Sequence, residues 1–413
     1  MKDEQVVLRG ATLVDGTGAA PVPDALVVIE GERLVQVGGR AAAGATELDL
    51  TGLTLTPGLI DAHAHLTIVD VADAAGTHSP VAVTAARIFR VCDLALRAGF
   101  TTVRDAGGAD GGLASAIALG LVPGPRILPS GPLLSQPAGH GDHRLPFDHH
   151  HDHAEARGTP GLGQMSTICN GADEVRLAAR EAFRRGATQI KVCVSGGVVS
   201  FTDRLEDAQF TVEELRAAVE EAAARDTYVL AHAHNVRGIR NGLDAGVRCF
   251  EHATFLDDAT ARAIAEAGAY VVPTFAVVRL MTDEWQQWGV PEQVLPKLAG
   301  VEDGMAKSMQ MAIEAGVKVG SGSDLLGPEQ NRRGLELVIK SSLIGPMAAL
   351  VSATLTNAEI MRLDHELGTV TEGKLADLVA FAGNPLDDPE LFDCPERIPV
   401  VVQRGRLVKD IRS

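Results

Sequence analysis

The feature that most constrains this chain is an alternation: from about residue 57 onward, short apolar runs of β type change places repeatedly with Ala-rich segments of helical texture. Eight such runs can be counted, LTPGLIDAHAH near 60, FTTVRDAG near 103, RILPSG near 128, TQIKVCVSG near 191, TYVLAHAH near 230, VRCFEHAT near 250, AYVVPTF near 272 and VKVGSGSD near 320. Strands separated by helices predict parallel β-α units. Eight of them over about 260 residues match a (β/α)8 TIM barrel, class α/β, better than an open doubly wound sheet. One helix start is explicit, since Thr211 and Glu214 read as a capping box ahead of ELRAAVEEAAARD. No G-x-G-x-x-G or Walker-type loop follows the first strand, so nucleotide chemistry has no support.

The two ends of the chain differ from this middle. QVVLRGATLVDG and ALVVIEGERLVQVGG near the start, and TVTEGKLADLVAFAG and IPVVVQRGRLVKD near the finish, are short β-type runs broken by Gly and Pro. They predict one small β-sandwich built from both ends. The expected division is residues 1–56 for its first part, 57–367 for the barrel and 368–413 for its second part.

Charge and composition narrow the partners. Thirty-seven Lys and Arg against 54 Asp and Glu leave −17, a field that repels phosphate backbones and anionic lipid, so neither nucleic acid nor a membrane surface is expected. No apolar run reaches the roughly 18 residues of a membrane span, and the start lacks a secretory pattern. Cys92, Cys169, Cys193, Cys249 and Cys394 are odd in number and scattered, which fits small buried thiols in a reducing cytoplasm.

The chemistry lies at the ends of the strands. His63 and His65 close the first strand two residues apart, so alternation turns both imidazoles the same way, near enough to share a metal ion. Lys191 falls inside the fourth strand, where a buried ammonium is costly unless it is paired or altered. A salt bridge to a barrel carboxylate is one outcome; addition of carbon dioxide, giving a carbamate whose two oxygens can bridge two cations, is the other. His232 and His234 share one face of the fifth strand, His252 ends the sixth, and Asp324 lies among small residues at the eighth. With His234 set aside, six groups of ligand type on five strands, gathered toward their C-terminal ends, are hard to explain as packed polar residues.

The polar stretch 139–163 reads as a loop over the same barrel face, with His140 near its start; His149, His150, His151 and His153 within it read as solvated. Tyr228, about 13 Å below His232 at strand rise, belongs to the barrel floor. Trp285 and Trp288, near Met281, fit a pocket wall, loop packing or a subunit contact equally.

These residues carry a resemblance. His63, His65, Lys191, His232, His252 and Asp324, with the blocks VVLRGATLVDGTG, TPGLIDAHAHL and GTVTEGKLADLVAF, resemble the amidohydrolase superfamily over nearly the whole chain. GFTTVRDAGG, SGPLLSQPAGHGD, HAHNVRGI and FEHATFLDD look closest to its imidazolonepropionase-like branch, which holds Xaa-Pro dipeptidases and ochratoxinase-like carboxypeptidases. The resemblance implies two divalent ions, taken as Zn2+: one held by His63, His65 and Asp324, one by His232 and His252, with Lys191 as carbamate bridging both. It further implies attack by a bridging hydroxide, with Asp324 as proton carrier. His140 would contact the substrate carbonyl or its oxyanion, and His234 the substrate carboxylate. Prolidase-like members often have a tyrosine where His234 stands, which shifts the expectation toward the ochratoxinase-like type.

The resulting expectation is a hydrolase that releases a C-terminal amino acid from a dipeptide or N-acyl amino acid, an ochratoxin-type aryl amide being one such substrate. A homo-oligomer is expected from the resemblance alone. Two rivals are a mononuclear cyclic-amide hydrolase or deaminase, against which Lys191 weighs, and a catalytically silent scaffold, against which the full ligand set weighs.

Overall fold

The computed structural model describes residues 5–40, 45–70, 79–144, 162, 164–200, 202–287, 292–327 and 330–412. His149, His150, His151, His153 and Trp288 lie outside them.

Leu59–Ala64, Phe100–Asp105 and Arg126–Pro129 pair in parallel as one sheet. Leu133–Ser135, Ile190–Cys193, Val229–Ala233, Cys249–His252, Tyr270–Val272 and Lys318–Val319 form a second parallel sheet, with Ser166–Ile168 along its outer edge. Backbone hydrogen bonds cross both seams. Ala62 N donates to the Ser321 carbonyl at 3.0 Å and Asp324 N to the His63 carbonyl at 2.8 Å, while Thr188 N donates to the Pro129 carbonyl at 2.8 Å. Asn357 pins the first seam, its amide reaching the Ile60 and Ser321 carbonyls at 2.7 and 2.8 Å. The architecture is a TIM-barrel α/β fold.

Two strands depart from the sequence reading. The third is broken between Pro129 and Leu133, its first half pairing with Phe100–Asp105 and its second with Val192 and the edge strand. The eighth is assigned only at Lys318–Val319, although Gly320 N still donates to the Val271 carbonyl at 2.8 Å and the Ser321 carbonyl still accepts from Ala62 N.

Helices cover the outside for ordinary amphipathic reasons. Val81–Arg97 buries Thr84, Ile88, Val91, Cys92, Ala95 and Leu96, a stripe at three- and four-residue spacing. Val212–Ala223 starts with the expected capping box, Thr211 accepting from Glu214 N while the Glu214 carboxylate accepts from Thr211 N at 2.8 Å. Tyr228 lies at the barrel floor as expected, buried with Ile60, Ala62 and Leu230 under the Arg104 guanidinium.

Both chain ends do meet in one β module. Gln5–Leu13, Val22–Glu30, Arg33–Val37, Thr46–Asp49 and Thr54–Pro57 join Leu378–Phe381, Val400–Gln403 and Arg406–Asp410 in a single eight-stranded mixed sheet. Its pairings run through one sheet rather than two separate layers. A single apolar cluster nonetheless takes Leu34 from one edge, Val27 and Leu13 from the middle and Val402 from near the other edge. The Gly405 turn before the last strand lies against the Gly31 turn at the opposite edge, where a Cβ on Gly405 would strike the Gly31 carbonyl, so the sheet curls around its own core. The five cysteines are unpaired, and among the described residues no helix is long and apolar enough to cross a membrane.

Candidate metal centre

The C-terminal strand ends converge on two groups of potential ligand atoms, each within 4.8 Å of one another: His63, His65 and Asp324, and His232, His234 and His252. In the first, an Asp324 carboxylate oxygen lies 3.4 Å from His63 Nε2 and 3.3 Å from His65 Nε2. In the second, the rings of His234 and His252 stack with centroids 5.0 Å apart, and His232 stands edge-on to both at 4.6 Å. His63 and His252 join the groups, with ring centroids 4.9 Å apart. Lys191, 1% exposed, brings Nζ to 3.4 Å from His63 Nε2. All six expected ligand residues meet here, and His234 is added to the second group, where the sequence reading had reserved it for substrate.

Each imidazole has one nitrogen committed to the protein, which leaves the other for the cavity. His63 Nδ1 donates to Glu251 at 2.7 Å and His65 Nδ1 to the Gly107 carbonyl at 2.8 Å. His232 uses the opposite nitrogen, Nε2 donating to the Gly196 carbonyl at 3.1 Å. His252 and His234 bond through Nδ1 to the hydroxyls of Thr274 and Thr254 at 2.8 and 2.6 Å. Burial, reinforced by neighbouring imidazoles and by Lys191, holds His232 and His252 well below the usual histidine value, so both are neutral. Burial alone would raise Asp324, but facing His63 and His65 brings it down to about 2 and keeps it ionised. Against its burial, Asp324 raises the proton affinity of His65; buried imidazoles, each with one nitrogen bonded to the protein, beside an ionised carboxylate are a donor set able to hold a divalent cation.

Glu251 is the member that sequence reasoning missed. Its second oxygen accepts from Arg104 at 2.7 Å, in a pair that is fully buried. Despite its own burial, Arg104 and His63 hold the carboxyl at about 2. Along Cys249–His252, Cys249 and Glu251 both approach Arg104 inside the barrel, so simple alternation would turn His252 outward. His252 has φ 66°, a left-handed backbone that turns it back inward, and Asp324 has φ 55°. Such conformations cost on the order of 1 kcal/mol or more in a non-glycine residue, and they cluster at functional sites. The first strand breaks parity as well: its register against Phe100–Asp105 shifts between Asp61 and Ala64, just where Ala62 and then His63 both enter the interior. Gly322 permits the approach of the last strand end, since a Cβ there would collide with His63.

Above the ligands opens a cavity lined by His63, His65, His140, Lys191, His232 and Asp324. Beyond the polar cluster its wall is apolar, with Val198, Val277, Val278, Met281, Leu298 and Met305. Lys191 is the one Lys or Arg among the described lining residues. His140, from the loop after the third strand, is buried in this wall and stacks on His232 with centroids 4.0 Å apart. Trp285 packs against the barrel core instead of lining the cavity.

Residues 54–408 match the model of the Amidohydrolase family. Ochratoxinase of Aspergillus niger is 33% identical over 98% of this chain and 86% of its own, and its crystal structure superposes with a TM-score of 0.86. A prolidase solved with N-methylphosphonate-L-proline is 39% identical, with a TM-score of 0.92 over 98% of this chain and all of that one. A Xaa-Pro dipeptidase with methionine bound in its active site is 29% identical, with a TM-score of 0.87 over 98% of this chain and 100% of its own.

Proposed function

The chain belongs to the amidohydrolase family and is a hydrolase of amide bonds; from that premise we propose that it releases a C-terminal amino acid from a dipeptide or an N-acyl amino acid, at a centre for two divalent ions. The observation that carries the reading is the pair of three-residue ligand groups beside one buried lysine. His63, His65 and Asp324 would hold one ion and His232 and His252 the other, with Lys191 between them. Burial lowers the proton affinity of Lys191. The neutral amine has the lone pair that adds carbon dioxide, and loss of one proton gives the bridging carbamate. Two cations held there, taken as zinc, acidify water and polarise an amide carbonyl.

The chain's own groups do the rest. Asp324, kept ionised by His63 and His65, takes a proton from the attacking water and returns it to the departing amine. His140 lines the cavity beside His232 and contacts the scissile amide. His234, with the Thr254 hydroxyl donating to Nδ1, keeps an N–H at Nε2 for the substrate carboxylate. The apolar wall excludes water and suits an apolar side chain or aryl group, ochratoxin-type amides included. We also divide the chain as 1–56, 57–367 and 368–413, with a closed barrel and the curled terminal sheet acting as a small sandwich. A homo-oligomer in the cytoplasm is part of the same proposal, the latter supported by five unpaired cysteines.

The test is a screen of N-acyl amino acids and dipeptides, each with its amidated counterpart. Substrates with a free carboxylate and an apolar side chain should exceed both their amides and their Lys or Glu analogues by about 10-fold or more in kcat/KM, since an unpaired charge in the apolar wall carries a desolvation cost. Equal rates for acid and amide would remove the role given to His234.

A further inference from the structure

Ser200, Asp203 and Gln209, which follow the fourth strand, form a chain of polar groups ending on His140. Lys297 reaches it from Leu295–Leu298 on the far side of the cavity. Its ammonium donates to three carbonyls, Gly197 at 3.1 Å and Ser200 and Asp203 each at 2.7 Å, and lies 3.6 Å from the Asp203 carboxylate. That carboxylate is itself buried, with one oxygen accepting from Gly197 N at 3.2 Å and Gln209 Nε2 at 2.9 Å. Its other oxygen accepts from the Ser200 hydroxyl, which meets His140 Nδ1 at 3.1 Å. Gln209 closes the circuit, its Oε1 accepting from His140 N at 3.0 Å. A Cβ at residue 197 would run into the His140 ring, so Gly197 lets the backbone lie flat against it.

The order of acceptors decides the proton positions. Ser200 has one hydroxyl proton and three possible acceptors within reach, the Asp203 carboxylate, the Gly197 carbonyl at 3.1 Å and His140 Nδ1 at 3.1 Å. The charged acceptor wins. The hydroxyl oxygen then faces Nδ1 with a lone pair, so Nδ1 must be the donor.

We propose that Asp203, Ser200 and Lys297 are positioning residues for His140, holding its neutral ring as the Nδ1–H tautomer with Nε2 turned to the cavity as a hydrogen-bond acceptor. An acceptor there suits an N–H of the scissile amide or of the departing amine, where the sequence reading had His140 donating to the carbonyl oxygen. The assignment deepens the proposed amide hydrolysis and rests on it for the identity of the group accepted. It makes Lys297, which touches no candidate ligand, the anchor of these groups.

The test separates the two claims. In histidine-¹⁵N-labelled protein, with the His140 signal identified by its loss in His140→Asn, the shifts should report Nδ1 protonated and Nε2 bare. Asp203→Asn can donate to Ser200, whose hydroxyl then turns to Nδ1; the tautomer should invert, and kcat should fall by about 10- to 100-fold with KM changed less than threefold and metal content unchanged. A wild-type protein with Nε2 protonated overturns the assignment whether or not Asp203→Asn folds, and so does an Asp203→Asn enzyme with unaltered kcat. Absence of amide turnover in the wild type alongside the expected tautomer would strike the functional reading and leave the wiring standing.

Discussion

Asp324→Asn is expected to lower kcat/KM by about 10³-fold or more while the protein stays folded. Asparagine keeps the volume of aspartate but cannot hold a proton, and proton transfer by a placed side chain contributes ~10²–10⁴-fold. The side chain sits 3.4 and 3.3 Å from the two imidazole nitrogens of the first strand end, so the substitution also removes the only anionic member of that group. A loss of 10³ corresponds to about 4 kcal/mol of transition-state stabilisation. The backbone bonds of Asp324, from its N to the His63 carbonyl at 2.8 Å, survive the change. Steady-state kinetics beside a thermal melt distinguishes lost chemistry from lost fold; a variant within threefold of wild type would remove Asp324 from the reaction.

Lys191→Ala is expected to abolish measurable turnover, because it removes the buried lysine, 3.4 Å from His63 Nε2, that we propose as the bridge between the two ions. Lys191 is buried, so alanine leaves a hole lined by His63 and the groups around it. Bound metal should fall from about two ions per chain toward one or fewer. If the lysine acts as a carbamate, a short carboxylic acid such as acetate or propionate fits the hole and supplies two oxygens, and should restore part of both metal content and activity. A structural lysine predicts no such rescue. Full activity and unchanged metal in the unrescued variant would exclude any bridging role.

How much of this was legible in the sequence follows from where period and chemistry coincide. The barrel could be read because apolar strands alternate with helical segments, clearly so at several of them, and the meeting of His63, His65, Lys191, His232, His252 and Asp324 could be read because Lys191 falls inside one strand of that pattern and the others at or near strand ends. Glu251 and Arg104 could not. The left-handed backbone at His252 lets two successive residues of one strand enter the interior, which no alternation rule anticipates. Ser166–Ile168 is too short to stand out beside a long polar loop, and the split of the third strand turns on the positive φ of Gly131. The β texture of both chain ends was plain, but their union in one curled sheet depends on pairings such as Ala380 with Leu55, which sequence texture does not specify. The relay to His140 lies in an irregular segment, where Lys297, Asp203 and Ser200 look like ordinary surface residues until the fold brings them together.

A centre for two cations makes turnover depend on them. Protein stripped with a chelator and titrated with Zn2+ should regain hydrolysis of an N-acyl amino acid in step with bound metal, reaching its plateau at about two ions per chain. Full turnover at the start of the titration, before any ion is bound, would contradict it.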